Sequence, residues 1–334
     1  MKKFTEIGQL RNVIHAVKHN HDYNGKDENG DAIFQHSTPY PKLKFKGTVK
    51  IHGTNSGICK YINDLGEVYY EFQSRERVLS LTSDNAGFMI GMLSKDYQKL
   101  FDGIEFSKSC VVYGEWSGSG IQKGVAIAEL PKMFIIFAVR IDDVYQNMTN
   151  FKHLMINDQQ IYNILQFKTY EVQIDFNQPE IAQNKIVELT LEVEDECPVG
   201  KYFGISGLGG GIVFSCGDGD NRYTFKSKGL KHSNSKVKII HEVDTERITA
   251  LRELAEKVTP SWRLSQMLTE ACDLLNGGYV DRTKLGNYIK MVIADVVKED
   301  SDIIINSGFE FKDVTKYISE IAKLYFFEEE YKNL

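Results

Sequence analysis

Apolar positions along the chain follow two rhythms. Up to about residue 240 they form short β-rich runs: FKGTVKI (45–51), VYYEFQS (68–74), SCVVYGEW (109–116), KMFIIFAVRI (132–141), GIVFSC (211–216) and RYTFKS (222–227). Runs of this length, rich in Val, Ile, Phe and Tyr, predict strands. No helix of βαβ length separates them regularly, so a Rossmann sheet is not expected. An antiparallel, α+β arrangement is. Residues 150–200 mix polar and helical signals and read as an inserted subregion.

Near Asp244 the rhythm changes to helical spacing. Ile248, Leu251, Leu254, Ala255 and Val258 share one face, and Pro260 ends that helix. Leu264, Met267, Leu268, Ala271, Leu274 and Leu275 make a second stripe, stopped by Gly277–Gly278. Leu285, Tyr288, Ile289, Val292, Ile293 and Val296 make a third; Val314, Tyr317, Ile318 and Ile321 a fourth. Such stripes are core faces. The pattern predicts two domains: 1–242, mixed α/β, and 243–334, all helical.

Length agrees, since 334 residues suit about two domains by the loose prior of roughly 150 residues each. A hydrophobic share of 42% and a charged share of 26% suit a packed globular chain. MKKFTEIGQL lacks the apolar stretch of a signal peptide, and the best apolar run, MFIIFAV (133–139), is strand-sized. No membrane partner is expected. Cys59, Cys110, Cys197, Cys216 and Cys272 are scattered and never spaced CxxC, which predicts reduced thiols in a cytoplasmic setting and no zinc knuckle.

The net charge of −6 argues against nucleic acid until its distribution is considered. Residues 243–334 carry 17 acidic and 12 basic side chains, while the rest is nearly balanced at 29 and 28. RYTFKSKGLKHSNSKVK (222–238) has six basic residues and no acidic one, a patch fit for polyphosphate.

Lys50 sits in VKIHGTNSG (49–57), at a strand end before a small polar turn where Gly53 would let backbone approach a bound nucleotide. A lysine becomes a nucleophile when burial or nearby cations lower its pKa. Alone, a strand-end lysine is more often a solvated residue.

Other segments change that balance. KIHGTN (50–55) resembles motif I of the covalent nucleotidyltransferases, the group of DNA ligases, RNA ligases and capping enzymes, and in particular the RNA ligase 2 family of bacteriophages. SRER (74–77) resembles motif Ia, YGEWSGSGIQKGV (113–125) motif III, FIIFAV (134–139) motif IIIa, GGGIVF (209–214) motif IV and FKSK (225–228) motif V. The ordered set covers about residues 45–230. It implies an ATP-grasp-like ligase adenylation fold of antiparallel sheets with helices, followed by a small helical C-terminal domain.

The resemblance also implies roles. Lys50 would attack the α-phosphorus of ATP. Arg75 would bind near the ribose or the transferred phosphate, Glu115 would bind the ribose hydroxyls, and Phe137 would stack on adenine. Lys226 and Lys228 would hold the α-phosphate. Ile51, His52 and Asn55 would line the nucleotide site, with His52 and Asn55 organising the lysine loop. Mg²⁺ or Mn²⁺ would accompany ATP, with Glu115 as the remaining candidate metal ligand. Each residue also has a plain reading: Phe137 as core, Arg75 and Glu115 as surface charges, and Lys226 and Lys228 as one solvated strand face.

Motif IV of the family reads E-G-x-V, whereas Gly210 stands at the glutamate position here. Asp218 and Asp220 lie beyond the strand. The glycine is natural with another group compensating, or an engineered change, or the mark of an impaired enzyme. Reduced activity is expected, to be restored by Gly210→Glu. No P-loop or dinucleotide fingerprint occurs. His19, His21 and Asp22 lack a further, sequence-distant ligand and read as a solvated loop.

The expected function is ATP-dependent sealing of RNA 3′-hydroxyl and 5′-phosphate ends by a monomer, with nicked duplex the expected geometry. A DNA ligase or capping enzyme would carry a β-rich tail. An RNA-end-binding protein with a disabled site is the alternative from another class.

Overall fold

The computed structural model describes residues 1–35, 39–63, 65–229, 231 and 240–332. The chain forms two compact units. One holds Met1–His15 and Lys42–Glu242; the other holds Ala16–Pro41 and Val243–Leu334. In chain order the elements are α1 (Leu10–Asp22), β1 (Tyr23–Lys26), β2 (Ala32–Phe34), β3 (Lys42–Val49), β4 (Gly53–Ile62), β5 (Val68–Ser74), α2 (Phe88–Leu93), β6 (Ser109–Ser117), β7 (Met133–Ile141), β8 (Val144–Tyr145), β9 (Ile161–Asn163) and β10 (Thr169–Asp175). They continue with α3 (Ala182–Asp195), α4 (Pro198–Tyr202), β11 (Ile212–Cys216), β12 (Tyr223–Ser227), α5 (Thr245–Val258), α6 (Ser261–Cys272), α7 (Leu285–Asn306) and α8 (Phe311–Lys332).

Among the described residues the first unit contains two sheets. A four-stranded antiparallel sheet runs β10-β3-β11-β12. A six-stranded sheet runs β5-β4-β6-β7-β8, antiparallel except that β9 pairs parallel to β7. The fold class is therefore α+β, as the pattern predicts.

Strand β3 shows why the four-stranded sheet has two chemically different faces. Its sequence KLKFKGTV alternates, burying Phe45, Gly47 and Val49 and turning Lys44, Lys46 and Thr48 the other way. The buried side meets Phe214 and Phe225, whose rings stack 5.0 Å apart, and α3 covers that side with Ile186, Leu189 and Val193. Burial of this kind stabilises by about 25 cal/mol per Å² of apolar area.

Two expectations need correction. GTNSG is not a turn but the start of β4, and only residues 50–52 separate it from β3. Gly53 is required for a different reason than nucleotide approach: a Cβ there would lie 2.2 Å from the Trp116 carbonyl oxygen on β6. Residues 150–200 are not an insertion. They supply β10, an edge of the four-stranded sheet, and α3, its cover. In TYEVQID, Tyr170, Val172 and Ile174 are buried while Glu171 and Gln173 are exposed on the opposite face.

The second unit packs α5–α8 around Leu251, Leu268, Tyr288, Val292, Ile318 and Phe326. Asp244 caps α5 by accepting from the Arg247 amide at 2.8 Å. Arg263 is 4% exposed and is held by Asp295 at 2.7 Å and by Asp300. His19 and His21 end helix α1 rather than sitting in a loop. His19 lies edge-on to Phe34 and His21 edge-on to Tyr40.

No helix among the described residues is long and apolar enough to cross a membrane. All five cysteines are free thiols.

Candidate active site

The two sheets of the first unit enclose a cavity of about 660 Å³. Its walls differ because the strands contribute different side chains. Cross-strand partners point to the same side of a sheet. Lys46 is opposite both Glu171 and Ser215, and Val213 is opposite both Thr48 and Lys226. All six line the cavity, with Lys44 beyond them. Lys50 follows at the end of β3, where its amide donates to the Gly211 carbonyl at 2.8 Å.

The six-stranded sheet supplies a different set of groups. Asn55 on β4 faces Glu115 on β6, which faces Ile135 on β7. Between β6 and β7 the register slips: Tyr113 pairs with Ala138 and Gly114 with Ile136, leaving Phe137 as the extra residue of a β-bulge. Ile135 shares the face of Glu115, and the period of two puts Phe137 on that face as well. Here the Phe137 ring joins the cavity wall. Arg75, at the end of β5, also lines it and lies 3.8 Å from Glu6.

The electrostatics centre on Lys50. Burial pushes its ammonium below the ordinary lysine range, Glu115 opposes that shift, and Lys228 and Lys226 add to it. Burial raises the Glu115 carboxyl to about 7, while Lys50, a hydrogen bond from the Gly53 amide and Arg75 pull it down. Lys228 is itself lowered, first by burial and then by Lys226. The Asn55 Oδ1 is buried with no hydrogen-bond partner among the described residues. Such atoms are rare unless a ligand or water meets them.

Of the residues singled out from sequence, the cavity brings together Lys50, Ile51, Asn55, Arg75, Glu115, Phe137 and Lys226. Lys228 is within electrostatic range of Lys50, but neither it nor His52 is part of the cavity wall. His52 packs on Gly210, where a Cβ would come 2.4 Å from the imidazole Cδ2 and 2.4 Å from the Lys50 carbonyl oxygen. Gly211 has φ +94°, and a Cβ on it would meet the Ser227 carbonyl oxygen at 2.2 Å. These glycines let the lysine loop approach the end of β12. The expectation that Gly210→Glu would restore a carboxylate meets this obstacle: backbone fills the place where a side chain would begin.

Asp218 does not line the cavity; the Asp220 side chain lies outside the described residues. So do Lys236 and Lys238 of the basic patch, and Lys231 pairs with Asp195 at 2.6 Å. No group of three or more His, Cys, Asp or Glu that could hold a metal occurs among the described residues.

Sequence reasoning missed Lys44, Lys46 and the wall formed by Phe4, Thr5, Glu6 and Ile7. The lysines were findable, because a period of two puts Lys44, Lys46, Thr48 and Lys50 on one strand face. Phe4 gave no local signal.

Comparison with solved structures finds the Naegleria gruberi RNA ligase with PPi at 16% identity and TM-score 0.44, covering 70% of this chain and 59% of that one. A mutant of it with AMP and Mn is 18% identical at TM-score 0.44, covering 69% and 58%. The chain thus spans less than two thirds of the length of those ligases. No curated protein matches significantly. A family model described as RNA ligase matches residues 44–228. That match begins on the strand leading into Lys50, ends at Lys228 and takes in more than half of the 334 residues; the chain belongs to the RNA ligase family.

Proposed function

We propose that the chain is an ATP-dependent RNA ligase that stores AMP on Lys50 and joins RNA 3′-hydroxyl and 5′-phosphate ends, at nicks in duplex RNA. The observation that carries this reading is the Lys50 amine: half-buried in the cavity wall, depressed below its ordinary range, and accompanied by Lys226 and Lys228.

The reaction needs an amine with a free electron pair. The neutral Lys50 Nζ attacks the α-phosphorus of ATP, the bond from that phosphorus to the bridging oxygen breaks, and pyrophosphate leaves. The amine loses a proton, leaving a phosphoramidate. The AMP then passes to an RNA 5′-phosphate, freeing Lys50. A 3′-hydroxyl attacks that end and expels AMP. Developing negative charge on the phosphorus oxygens favours fixed cations, which Lys226 and Lys228 supply. The Phe137 ring offers a face to the adenine, and ionised Glu115 is an acceptor suited to two ribose hydroxyls. The cavity volume lies within the range of nucleotide-sized sites, roughly 300–1,000 Å³.

A resident divalent ion does not fit this donor set. Glu115 faces Lys50 and Arg75 and accepts from the Gly53 amide, and no three-ligand group is present among the described residues. Mg²⁺ or Mn²⁺ instead enters on the ATP phosphates as part of the substrate. Glu115 is therefore a ribose group rather than a metal ligand. Lys44 and Lys46 form no ion pair among the described residues and extend the cationic face beyond the nucleotide, which suits an RNA phosphate. The helical unit would engage the duplex, and the ligase would act as a monomer in the cytoplasm.

The test is incubation with α-labelled ATP and Mg²⁺ beside Lys50→Ala. Label on the wild-type chain and none on the variant is expected. Nicked duplex RNA should then be sealed faster than single strands. Gly210 favours a second reading, an RNA-end-binding protein with a disabled site. Absence of label with retained binding of nicked RNA would select it.

A further inference from the structure

We propose that the segment Lys2–Gly8 is a positioning strap that ties the six-stranded sheet to the four-stranded sheet along the cavity, with Phe4 holding the Phe137 ring in place for the nucleobase. The proposal rests on reading the cavity as a nucleotide site.

On the six-stranded side the anchor is Lys2. Its amide donates to the Gln73 Oε1 at 2.9 Å, and the Gln73 Nε2 donates back to its carbonyl at 2.7 Å. The Tyr113 hydroxyl donates to the same carbonyl at 2.6 Å. Gln73 is 1% exposed and Tyr113 fully buried. Buried polar groups need partners, and here a single residue of main chain provides them for both. Two residues on, Phe4 is also buried, with its ring centroid 5.2 Å from Phe137 in an edge-on arrangement and 5.2 Å from Tyr113. The Thr5 amide donates to the Tyr145 hydroxyl at 2.9 Å.

On the four-stranded side the anchor is Gly8. It bridges in parallel to Phe225, and its carbonyl accepts the Lys226 amide at 3.2 Å. That hydrogen bond fixes the backbone of a lysine whose side chain enters the cavity. Between the anchors, Phe4, Thr5, Glu6 and Ile7 form cavity wall.

One short segment therefore touches Phe137 at one end and Lys226 at the other. Four residues can span at most about 14 Å, so the strap bounds the distance between its two contacts. Phe137 is a bulge residue with no cross-strand partner in the β6–β7 register, which leaves its ring orientation to such packing. A nucleotide held by its base at one place and attacked at phosphorus in another needs that spacing fixed, since small misplacements cost large factors in rate.

The experiment compares wild type, Phe4→Ala, Phe4→Leu and Tyr113→Phe, the last removing a strap hydrogen bond without touching the cavity. In Phe4→Ala the ATP concentration for half-maximal Lys50 labelling should rise about tenfold, while the rate at saturation falls less than threefold. Phe4→Leu should recover part of the loss, and Tyr113→Phe should shift the same way by less. Hydrogen exchange at the Lys226 amide, read without nucleotide, should accelerate in Phe4→Ala and Tyr113→Phe, while the Ile58 and Val112 amides stay protected. Unchanged exchange at Lys226 in both variants overturns the strap. Faster exchange with an unchanged ATP requirement overturns the role of Phe4 toward the base. If wild type takes no label yet exchange responds, the nucleotide reading falls and the tie between sheets stands.

Discussion

The two sheets of the first unit face each other across one cavity with different chemistry. The four-stranded sheet and its strand ends line it with Lys44, Lys46, Lys50 and Lys226 beside the carboxylate of Glu171, with Lys228 outside the wall but acting on Lys50. The six-stranded sheet brings a carboxylate, an amide and an aromatic ring in Glu115, Asn55 and Phe137. The contrast separates two tasks. One wall suits phosphate and its transfer; the other suits sugar and base. It also explains the titration of Lys50, which lies between like charges that lower it and the one carboxylate that raises it.

The sharpest way to break the contrast is to remove a cation from the phosphate wall. Lys226→Ala and Lys228→Ala should each slow Lys50 labelling by about 10²–10³, the usual loss for one fixed group that stabilises transition-state charge. Each should also move the rise of labelling rate with pH to higher pH. The sign follows from the cause: both lysines hold the Lys50 pKa down, so losing either lets it rise, and the neutral amine then appears at higher pH. Single-turnover labelling across pH checks both effects. A rate loss with an unmoved pH profile would mean that the lysines act on phosphate alone.

The next largest effect lies where the glycines before β11 meet the Lys50–His52 connection between β3 and β4. Gly210→Glu should not restore activity. It should destabilise the fold by about 1–3 kcal/mol, the ordinary cost of forcing atoms into filled space, because the added Cβ meets the Lys50 carbonyl oxygen and the His52 ring. Denaturant midpoints of the two proteins measure this, and labelling should fall as the Lys50 loop is displaced. A variant as stable as wild type and faster in labelling would return Gly210 to the status of a lost carboxylate.

How far the sequence could be read follows the same division. The phosphate wall is local: strand alternation around Lys50 and FKSK places its lysines without knowledge of the fold. The other wall depends on pairing. Phe137 sits in a run that is apolar throughout and reads as core, and only the pairing of Ile135 with Glu115 shows that Ile135 and, two residues on, Phe137 share the cavity face. β10 and its helix were hidden because Glu171 and Gln173, polar members of a one-sided strand, weaken the apolar signal. The start of β4 was hidden because its Gly, Thr, Asn and Ser resemble a turn, although Gly53 is there for backbone contact with β6. Phe4 meets Phe137, 133 positions away in sequence, and no periodicity reports such a pair.

The smallest effect sharpens the contrast from the other side. Glu115 is the carboxylate facing the cations, and burial raises it from 4.5 to about 7. Below pH 4.5 the carboxyl is protonated in both the folded and unfolded chain. From there up to pH 7 the unfolded chain has released its proton and the folded chain keeps it, so stability falls as pH rises through that window and levels above it. Glu115→Gln carries no proton to release, so the nucleotide-free variant should lose that slope. Denaturant midpoints at pH 5 and pH 7.5 should therefore lie closer together in the variant than in wild type. The same change acts on Lys50 in the opposite sense to the lysine variants. Glu115 raises the Lys50 pKa, so its neutral replacement should let labelling begin at lower pH, even as the loss of an acceptor for the ribose weakens nucleotide binding. An earlier rise in Glu115→Gln and a later one in Lys228→Ala would locate the nucleophile between the two walls; movement in the same direction would place it outside them.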